Sequence, residues 1–163
     1  ARRPDLQIVN LRGNVDTRLR KAATEEYDAI VLAAAGVLRL GYADRIVEYL
    51  SLDVMLPAPG QGALAVQARA NDAATLRLLA PLDHAPTRAA TTAERAFLRA
   101  LGGGCAQPLA AYGEASDHTL RLRGLIASAN GARVVRGETS GDVTQAETIG
   151  EKLAKQLIVA SQQ

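Results

Sequence analysis

A single cysteine, Cys105, follows three consecutive glycines in the loop of residues 102–108. Glycine leaves the space around the sulfur free of side chains, and Pro108 prevents the chain from continuing as a helix. The pattern predicts a thiol presented on an open loop, where it could react as a nucleophile. The alternative is a buried cysteine that packs as a small apolar residue, which is the commoner place for a free thiol.

Two arginines flank the start of a predicted helix near the beginning of the chain. Arg12 precedes the pair Gly13-Asn14, and Arg18 lies inside the helix that follows. A helix N-terminus offers free N–H donors, and a guanidinium group can hold a carboxylate through two parallel hydrogen bonds. These residues predict a site for an anion, with two solvated surface arginines as the alternative.

The elements around these arginines predict a parallel βαβ unit. Residues 6–11 have the composition of a strand, Asn14 is a suitable N-cap for a helix through residue 22, and residues 28–33 form a second apolar run. Strand, helix and strand in such close succession favour a parallel pair with a helical crossover. Four further segments are predicted before Pro81: a short helix at 41–49, an irregular crossing at 57–62, a strand at 63–69 and a helix at 71–80.

A second module, of α+β type, is predicted from Pro81 onwards. Apolar residues recur at helical spacing between Ala93 and Leu101, so a helix should end at the glycines before the cysteine. Glu94 and Arg95 lie in this helix, where we expect a local ion pair with a structural role.

A three-stranded antiparallel sheet and a closing helix should follow. Strands are predicted at residues 109–114, 119–127 and 133–138, and Asn130-Gly131 is typical of a type I′ hairpin turn. Thr144 and Glu147 have the spacing of a capping box at the start of the last helix. The apolar face of that helix carries Ala146, Ile149, Leu153 and Leu157.

The composition argues against several classes of protein. The chain has 163 residues and a formal charge of +2, so it lacks the positive field expected of a protein that binds nucleic acid. Its longest apolar stretch, residues 29–38, is too short to span a bilayer. One cysteine rules out an internal disulfide framework and favours a reduced, cytoplasmic setting. His84 and His118 have no other ligand at metal-binding spacing, so no metal site is predicted.

Three stretches of the chain resemble the hydroxymethylbilane synthase family, also called porphobilinogen deaminase, in the family's own order. They are LRGNVDTRL at residues 11–19, LPAPGQGAL at 56–64, and TAERAF at 92–97 with LGGGCAQPL at 101–109. The resemblance runs essentially from end to end, and it is to the C-terminal part of the enzyme alone. It implies a fold of α/β plus α+β type: part of a parallel βαβ lobe like that of periplasmic binding proteins, followed by a small three-stranded antiparallel sheet with helices.

The resemblance also implies how the chain divides and which residues bind. Residues 1–62 would be part of the second, βαβ domain, residues 63–80 a strand and helix that return to the N-terminal domain, and residues 81–163 the domain that anchors the cofactor. The implied site residues are Cys105, which carries a dipyrromethane cofactor through a thioether, the arginines Arg12, Arg18 and Arg39, which hold pyrrole acetate and propionate groups, and the cleft residues Gln61 and Gly62. Of these, Arg12, Arg18, Gln61 and Gly62 are expected at the cofactor, and the three arginines at the substrate.

The implied reaction is the head-to-tail condensation of porphobilinogen into hydroxymethylbilane with loss of ammonia. The family's catalytic aspartate and its Ser-Ser-Leu-Arg-Arg stretch belong to the N-terminal domain, and neither is found here; Asp28 and Asp44 do not match that context. We therefore expect a C-terminal portion without a catalytic residue of its own. It should be inactive alone and should need the missing N-terminal segment as its partner. The alternative to a cytoplasmic location is an organellar protein whose leader was lost by truncation.

Two other functions fit part of the sequence. A non-catalytic anion-binding module of periplasmic-binding-protein type would use Arg12, Arg18 and the βαβ unit, but it leaves the Gly-Gly-Gly-Cys loop unexplained. A thiol enzyme with Cys105 as an acyl nucleophile would need a base near the sulfur, and neither histidine stands in a recognisable pairing context.

Overall fold

The computed structural model describes residues 3–24, 27–103 and 108–162. The contacts divide the chain into two compact units, residues 2–51 and residues 52–163. The first unit holds two short helices, and the second holds three helices and an antiparallel sheet.

The first unit is built from helix α1 (Val15–Ala22), helix α2 (Ala34–Arg39) and a 3-10 turn at Ala43–Arg45. The predicted N-cap is confirmed, because the Asn14 side chain accepts a hydrogen bond from the N–H of Thr17 at 2.8 Å. Within α2, Val37 is buried.

Three predicted strands, at residues 6–11, 28–33 and 63–69, are not present in the described part of the chain. A strand needs a neighbour for its backbone N–H and C=O groups, and the strands that are described pair with one another elsewhere. Many of the large apolar side chains of these segments are exposed instead, with Ile8 at 86% and Leu64 at 93%. The helix predicted at 41–49 is reduced to the 3-10 turn, which ends where Ile46 becomes extended. The described residues therefore form no parallel βαβ unit.

Helix α3 (Ala73–Leu79) opens the regular part of the second unit and runs on into a 3-10 turn at Ala80–Leu82. Its cap is Asp72, whose carboxylate accepts from the N–H of Thr75 at 3.0 Å and from its hydroxyl at 2.9 Å. These hydrogen bonds, with one from Arg69, lower the pKa of Asp72. The helix predicted at 71–80 is thus confirmed, with its start at Ala73 because Asp72 is the N-cap.

The rest of the second unit confirms the predicted α+β module. Its elements are α4 (Ala85–Ala100), β1 (Leu109–Ser116), β2 (Thr119–Ala127), β3 (Val134–Asp142) and α5 (Ala146–Gln162). The strands form an antiparallel sheet in the order β1-β2-β3, with β1 and β3 extending past their predicted ends. Over residues 3–24, 27–103 and 108–162, no helix has the length and apolar character needed to cross a membrane.

The core lies between one face of the sheet and the two helices α4 and α5. Its largest fully buried side chains are Phe97 from α4, Leu120 and Leu122 from β2, and Leu153 from α5. The apolar spacing that predicted the two helices marks the faces that are buried, because a helix presents every third or fourth residue to one side. Burial of such a side chain contributes roughly 1.5–3 kcal/mol, so this cluster holds the second unit together.

The two sheet connections differ in how they turn. Asp117 takes a positive φ of 52° in the two-residue link between β1 and β2. The type I′ turn predicted at Asn130-Gly131 is wrong, because only Gly131 has a positive φ, of 67°. A longer loop forms instead, in which the N–H of Gly131 donates to the carbonyl of Ser128 at 2.8 Å and the Asn130 side chain accepts from the N–H of Ala132 at 3.1 Å.

The capping box predicted at Thr144 and Glu147 is also wrong. Asp142 caps a 3-10 turn at Val143–Gln145 that precedes α5, and its carboxylate accepts from the N–H of Thr144 at 2.8 Å. Glu147 forms an ion pair with Arg99 of α4 instead. An acidic residue two positions earlier in the chain therefore replaces the predicted cap.

Candidate functional site

Arg12 and Arg18 lie at the start of α1 in the first unit. Gly13 separates Arg12 from the N-cap and has a φ of 125°, a conformation that favours glycine. Arg18 folds back over this start, because its Nε donates to the carbonyl of Gly13 at 2.8 Å. The Arg18 side chain therefore lies at the start of α1, next to the residue that follows Arg12 in the chain.

Arg39 is the last residue of α2, which contacts the first turn of α1. A Cβ on Gly36 would lie 3.3 Å from Val15 Cγ2 of α1, and Arg39 follows Gly36 by one helical turn. After α2, the Tyr42 hydroxyl donates to Asp16 Oδ1 at 3.0 Å, a contact that raises the pKa of Tyr42. Contacts with the first turn of α1 therefore flank Arg39 on both sides.

Two of these three arginines have no side-chain partner in the described part of the chain. Arg12 and Arg39 are exposed, and over the described residues neither has an ion pair or a side-chain hydrogen bond. Arg18 uses its Nε alone. Planar guanidinium groups in this state can take carboxylate ligands through two parallel hydrogen bonds.

Gln61 and Gly62 belong to the second unit, where residues 58–61 form a tight turn. Pro59 and Gly60 occupy its central positions, Gly60 has a φ of 77°, and the N–H of Gln61 donates to the carbonyl of Ala58 at 3.0 Å. These are the marks of a type II turn, which requires glycine at its third position. Gln61 is exposed, and its Oε1 accepts from the N–H of Ala58 at 3.2 Å, so the turn uses the side-chain oxygen of Gln61. A Cβ on Gly62 would meet nothing within 4 Å.

The segment that leads into the turn, residues 53–57, is held to the outer face and edge of the sheet. Arg136 donates to the carbonyls of Asp53 at 2.8 Å and Val54 at 3.3 Å, and the N–H of Ala111 in β1 donates to the carbonyl of Pro57 at 3.1 Å. Leu56, between these contacts, is buried. Arg123 pairs with Asp53 on the same face, and the two border a cavity of about 220 Å³. This arrangement was not predicted from the sequence.

The contacts of Glu94 differ most from those predicted from the sequence. It is 5% exposed, and its two carboxylate oxygens accept from the N–H of Gly60 at 2.6 Å and the N–H of Gly113 at 2.8 Å. The predicted ion pair with Arg95 is not formed, because Arg95 points to solvent while Glu94 turns into the protein. A signal was available, since Glu94 falls one turn after Ala90 on the apolar face of α4.

Burial raises the pKa of Glu94, and the two backbone N–H groups and the Arg95 charge offset only part of that effect. A carboxylate removed from water is stable only when its oxygens are hydrogen-bonded. The N–H groups of Gly60 and Gly113 meet that condition.

Cys105 and its neighbours, residues 104–107, lie outside the described residues, so the predicted thiol geometry is not tested. The approach to this loop is described. After α4, the N–H of Gly102 donates to the carbonyl of Arg99 and the N–H of Gly103 to the carbonyl of Leu98, both at 3.0 Å. A Cβ on Gly103 would lie 2.4 Å from the Leu98 carbonyl oxygen, so this position requires glycine.

The histidines take local roles. His84 precedes α4, and its Nδ1 lies 2.8 Å from the Thr87 hydroxyl. His118 lies in the β1–β2 connection, where its carbonyl accepts from the N–H of Val143 at 2.9 Å. Among the residues that the structure describes, no group of three or more histidine, cysteine or acidic residues could hold a metal ion.

The fold defines a mixed α/β protein: a three-stranded antiparallel sheet covered by helices, and a helical unit that carries Arg12, Arg18 and Arg39 among its arginines. Two family models match it in succession. Residues 1–77 match the porphobilinogen deaminase, dipyromethane cofactor binding domain, and residues 89–159 match the porphobilinogen deaminase C-terminal domain. The chain belongs to the porphobilinogen deaminase family.

Curated relatives agree with the two models. A porphobilinogen deaminase of Syntrophotalea carbinolica is 54% identical over 157 residues, which are 96% of this chain and 50% of the relative. Those of Roseiflexus castenholzii and Carboxydothermus hydrogenoformans are 52% and 48% identical, over 100% and 99% of this chain and 54% and 52% of their own lengths. The chain spans about half the length of the curated relatives it matches.

Proposed function

We propose that this chain is the C-terminal portion of a hydroxymethylbilane synthase, which condenses porphobilinogen head-to-tail into hydroxymethylbilane and releases ammonia. The observation that carries the proposal is the succession of two family models along the chain, the first of which is a cofactor-binding domain. The three arginines support it, because each pyrrole unit brings carboxylate groups that a protein must neutralise.

The side chains fit a ligand rich in carboxylates. Arg12, Arg18 and Arg39 offer guanidinium nitrogens without an acidic partner in the described part of the chain. We assign them to the acetate and propionate groups of the cofactor and of the growing pyrrole chain, held in bidentate fashion. Gln61 would donate through its side-chain N–H groups, and Gly62 leaves room for a ring to approach the backbone.

Cys105 is proposed to hold the dipyrromethane cofactor through a thioether. The bound group would supply the primer to which porphobilinogen units are added. The glycines before the thiol support this assignment, since Gly103 closes the end of α4 without a side chain. A reduced compartment such as the cytoplasm suits a protein whose one thiol must remain free for this bond.

The catalytic carboxylate and the rest of the binding site are proposed to come from a partner segment that corresponds to the uncovered half of the relatives. In the assembled enzyme, residues 1–62 would complete a βαβ lobe like that of periplasmic binding proteins, residues 63–80 would join the N-terminal domain, and residues 81–163 would anchor the cofactor. The exposed apolar side chains support this, because Ile8, Val31, Leu64 and Val66 are each at least 64% exposed in segments patterned as strands. Pairing with neighbouring strands would cover them.

The experiment is an assay of tetrapyrrole formation from porphobilinogen with the purified chain, alone and mixed with the N-terminal half of a relative. We expect no turnover by the chain alone and measurable turnover by the mixture. The matched control is the mixture with Cys105→Ser, which should be inactive because a serine hydroxyl is far harder to ionise than a thiol of pKa near 8.5. Turnover by the chain alone, free of host enzyme, would refute the division of roles.

A further inference from the structure

The first strand of the sheet, β1, is an edge strand, and two different groups accept hydrogen bonds from the N–H groups on its unpaired side. In the order β1-β2-β3, β1 pairs with β2 on one side only. On the other side, the N–H of Ala111 donates to the carbonyl of Pro57, and the N–H of Gly113 donates to Glu94 Oε1. A side-chain carboxylate thus stands where the next backbone carbonyl of a neighbouring strand would be.

The second oxygen of the same carboxylate holds the turn of residues 58–61. Glu94 Oε2 accepts from the N–H of Gly60, the central glycine of the turn. Glu94 can reach both partners because α4 runs very close to β1: a Cβ on Gly113 would lie 2.9 Å from the Cα of Ala90, one turn before Glu94. Only a carboxylate offers two acceptor oxygens from one side chain, since a glutamine would turn an N–H₂ group towards one of the N–H donors.

We propose that Glu94 is a positioning residue, whose two oxygens fix the turn of residues 58–61 to the edge of β1 and thereby set the place of Gln61 relative to the helix that leads to Cys105. Glu94 lies six residues before the end of α4 at Ala100, a distance of about 9 Å along the helix axis. One rigid helix therefore connects the residue that holds the turn with the start of the cysteine loop. The expected effect on Cys105 rests on the proposed function, whereas the hydrogen bonds of Glu94 do not.

The geometry is tested on the chain itself by NMR of the glycine amides. Amide hydrogen exchange of Gly60 and Gly113 is compared in the wild type, Glu94→Gln and Glu94→Ala, with Glu151→Gln as a matched control that removes an exposed carboxylate from α5. The amide of Leu122 in β2 reports global stability. We expect exchange at one or both glycines to rise by about tenfold beyond any change at Leu122, the factor for one lost hydrogen bond, and no such change in Glu151→Gln. Glycine amides that behave in the Glu94 variants as they do in Glu151→Gln would overturn the proposal.

A second measurement needs no variant. The amide shifts of Gly60 and Gly113 in the wild type should titrate together, with one midpoint above the ordinary glutamate range, because both N–H groups contact one buried carboxylate. Arg95 on the same helix is the charged group that acts on it. Two separate midpoints, or no titration, would contradict a shared acceptor even if the variants fail to fold.

The consequence is tested in the mixture with the N-terminal half. Glu94→Gln should slow attachment of the cofactor to Cys105 by roughly 10- to 100-fold, the loss expected when a binding group is displaced by about 1 Å. If Glu94→Gln attaches the cofactor as fast as Glu151→Gln does, the positioning role is wrong. If the wild type itself takes no adduct, the proposed function fails, and the glycine amides still decide whether Glu94 holds the turn.

Discussion

Replacing Gly150 by alanine tests the contact between α4 and α5 on which the second unit depends. Gly150 is buried in α5, and a Cβ there would lie 2.3 Å from the carbonyl oxygen of Ala93, 2.7 Å from the Cβ of Ala96 and 2.8 Å from the backbone nitrogen of Phe97. Two of these three atoms belong to the backbone of a helix and cannot rotate away. The helices must therefore move apart to admit one methyl group.

Two effects of opposite sign decide the magnitude. Alanine is preferred over glycine in a helix interior by about 1 kcal/mol. Overpacking in a well-packed core costs typically 1–3 kcal/mol or more, because the displaced helices lose dispersion contacts around Phe97 and Leu153. A separation of about 1 Å is needed to bring the 2.3 Å contact to an ordinary distance, which places this site towards the upper part of that range. We expect a net loss of about 1–3 kcal/mol in the free energy of unfolding.

The assay is urea unfolding of the chain followed by circular dichroism, with Gly62→Ala as the control. Gly62 has open space around the position of a Cβ and needs no positive φ, so alanine there should leave stability unchanged or raise it by about 0.4–1 kcal/mol. If Gly150→Ala is as stable as Gly62→Ala, the close approach of the two helices is wrong, and so is the packing described for the core.

Four further predictions concern single residues. Leu153→Ala should lower the free energy of unfolding by about 2–5 kcal/mol in the same urea assay, because this side chain is fully buried. The free energy of unfolding of the wild type relative to Glu94→Gln should depend on pH. Because burial raises the folded-state pKa of Glu94 above the unfolded value of about 4.3, Glu94 stabilises the folded state fully below about pH 4.3, and this stabilisation is lost as pH rises through the folded-state pKa. The difference in free energy of unfolding between the two proteins should therefore shrink in urea titrations from acid to neutral pH. Arg18→Leu should weaken cofactor attachment in the mixed enzyme by about 2–5 kcal/mol if the carboxylate that Arg18 binds is left buried. Arg18→Lys should recover part of that loss, and Arg20→Leu on the same helix is the control. Gly103→Ala should destabilise the end of α4 by about 1–3 kcal/mol and speed exchange of its own amide, since the Cβ would overlap the Leu98 carbonyl.

The helices and strands of the second unit from α4 onwards could be predicted from the sequence because local pattern and tertiary packing agree there. The apolar spacing around Phe97 and Leu153 and the alternation along residues 119–127 each indicate a buried face, and the faces meet in one core. Their boundaries shift where a better local group competes, as Asp142 does with the predicted cap at Thr144. The turn at Asn130 differs because its side chain binds the loop backbone directly.

The strands predicted in the first 80 residues show the limit of such patterns. An apolar run such as residues 28–33 indicates that a segment is suited to burial, but a strand also requires a neighbour whose position no local pattern contains. Glu94 is the opposite case, because its helix was predicted and its partners were not. The N–H groups of Gly60 and Gly113 come from segments distant in the sequence, and only the fold brings them to one side chain.

In the proposed function, Cys105 anchors the pyrrole cofactor. The most direct measurement is mass spectrometry of the chain after incubation with the N-terminal half of a relative and porphobilinogen, followed by digestion and peptide mapping. We expect a mass increase of two pyrrole units on the peptide that contains Cys105 and none in Cys105→Ser. An adduct on any other residue, or an active mixture whose chain carries no adduct, would contradict it.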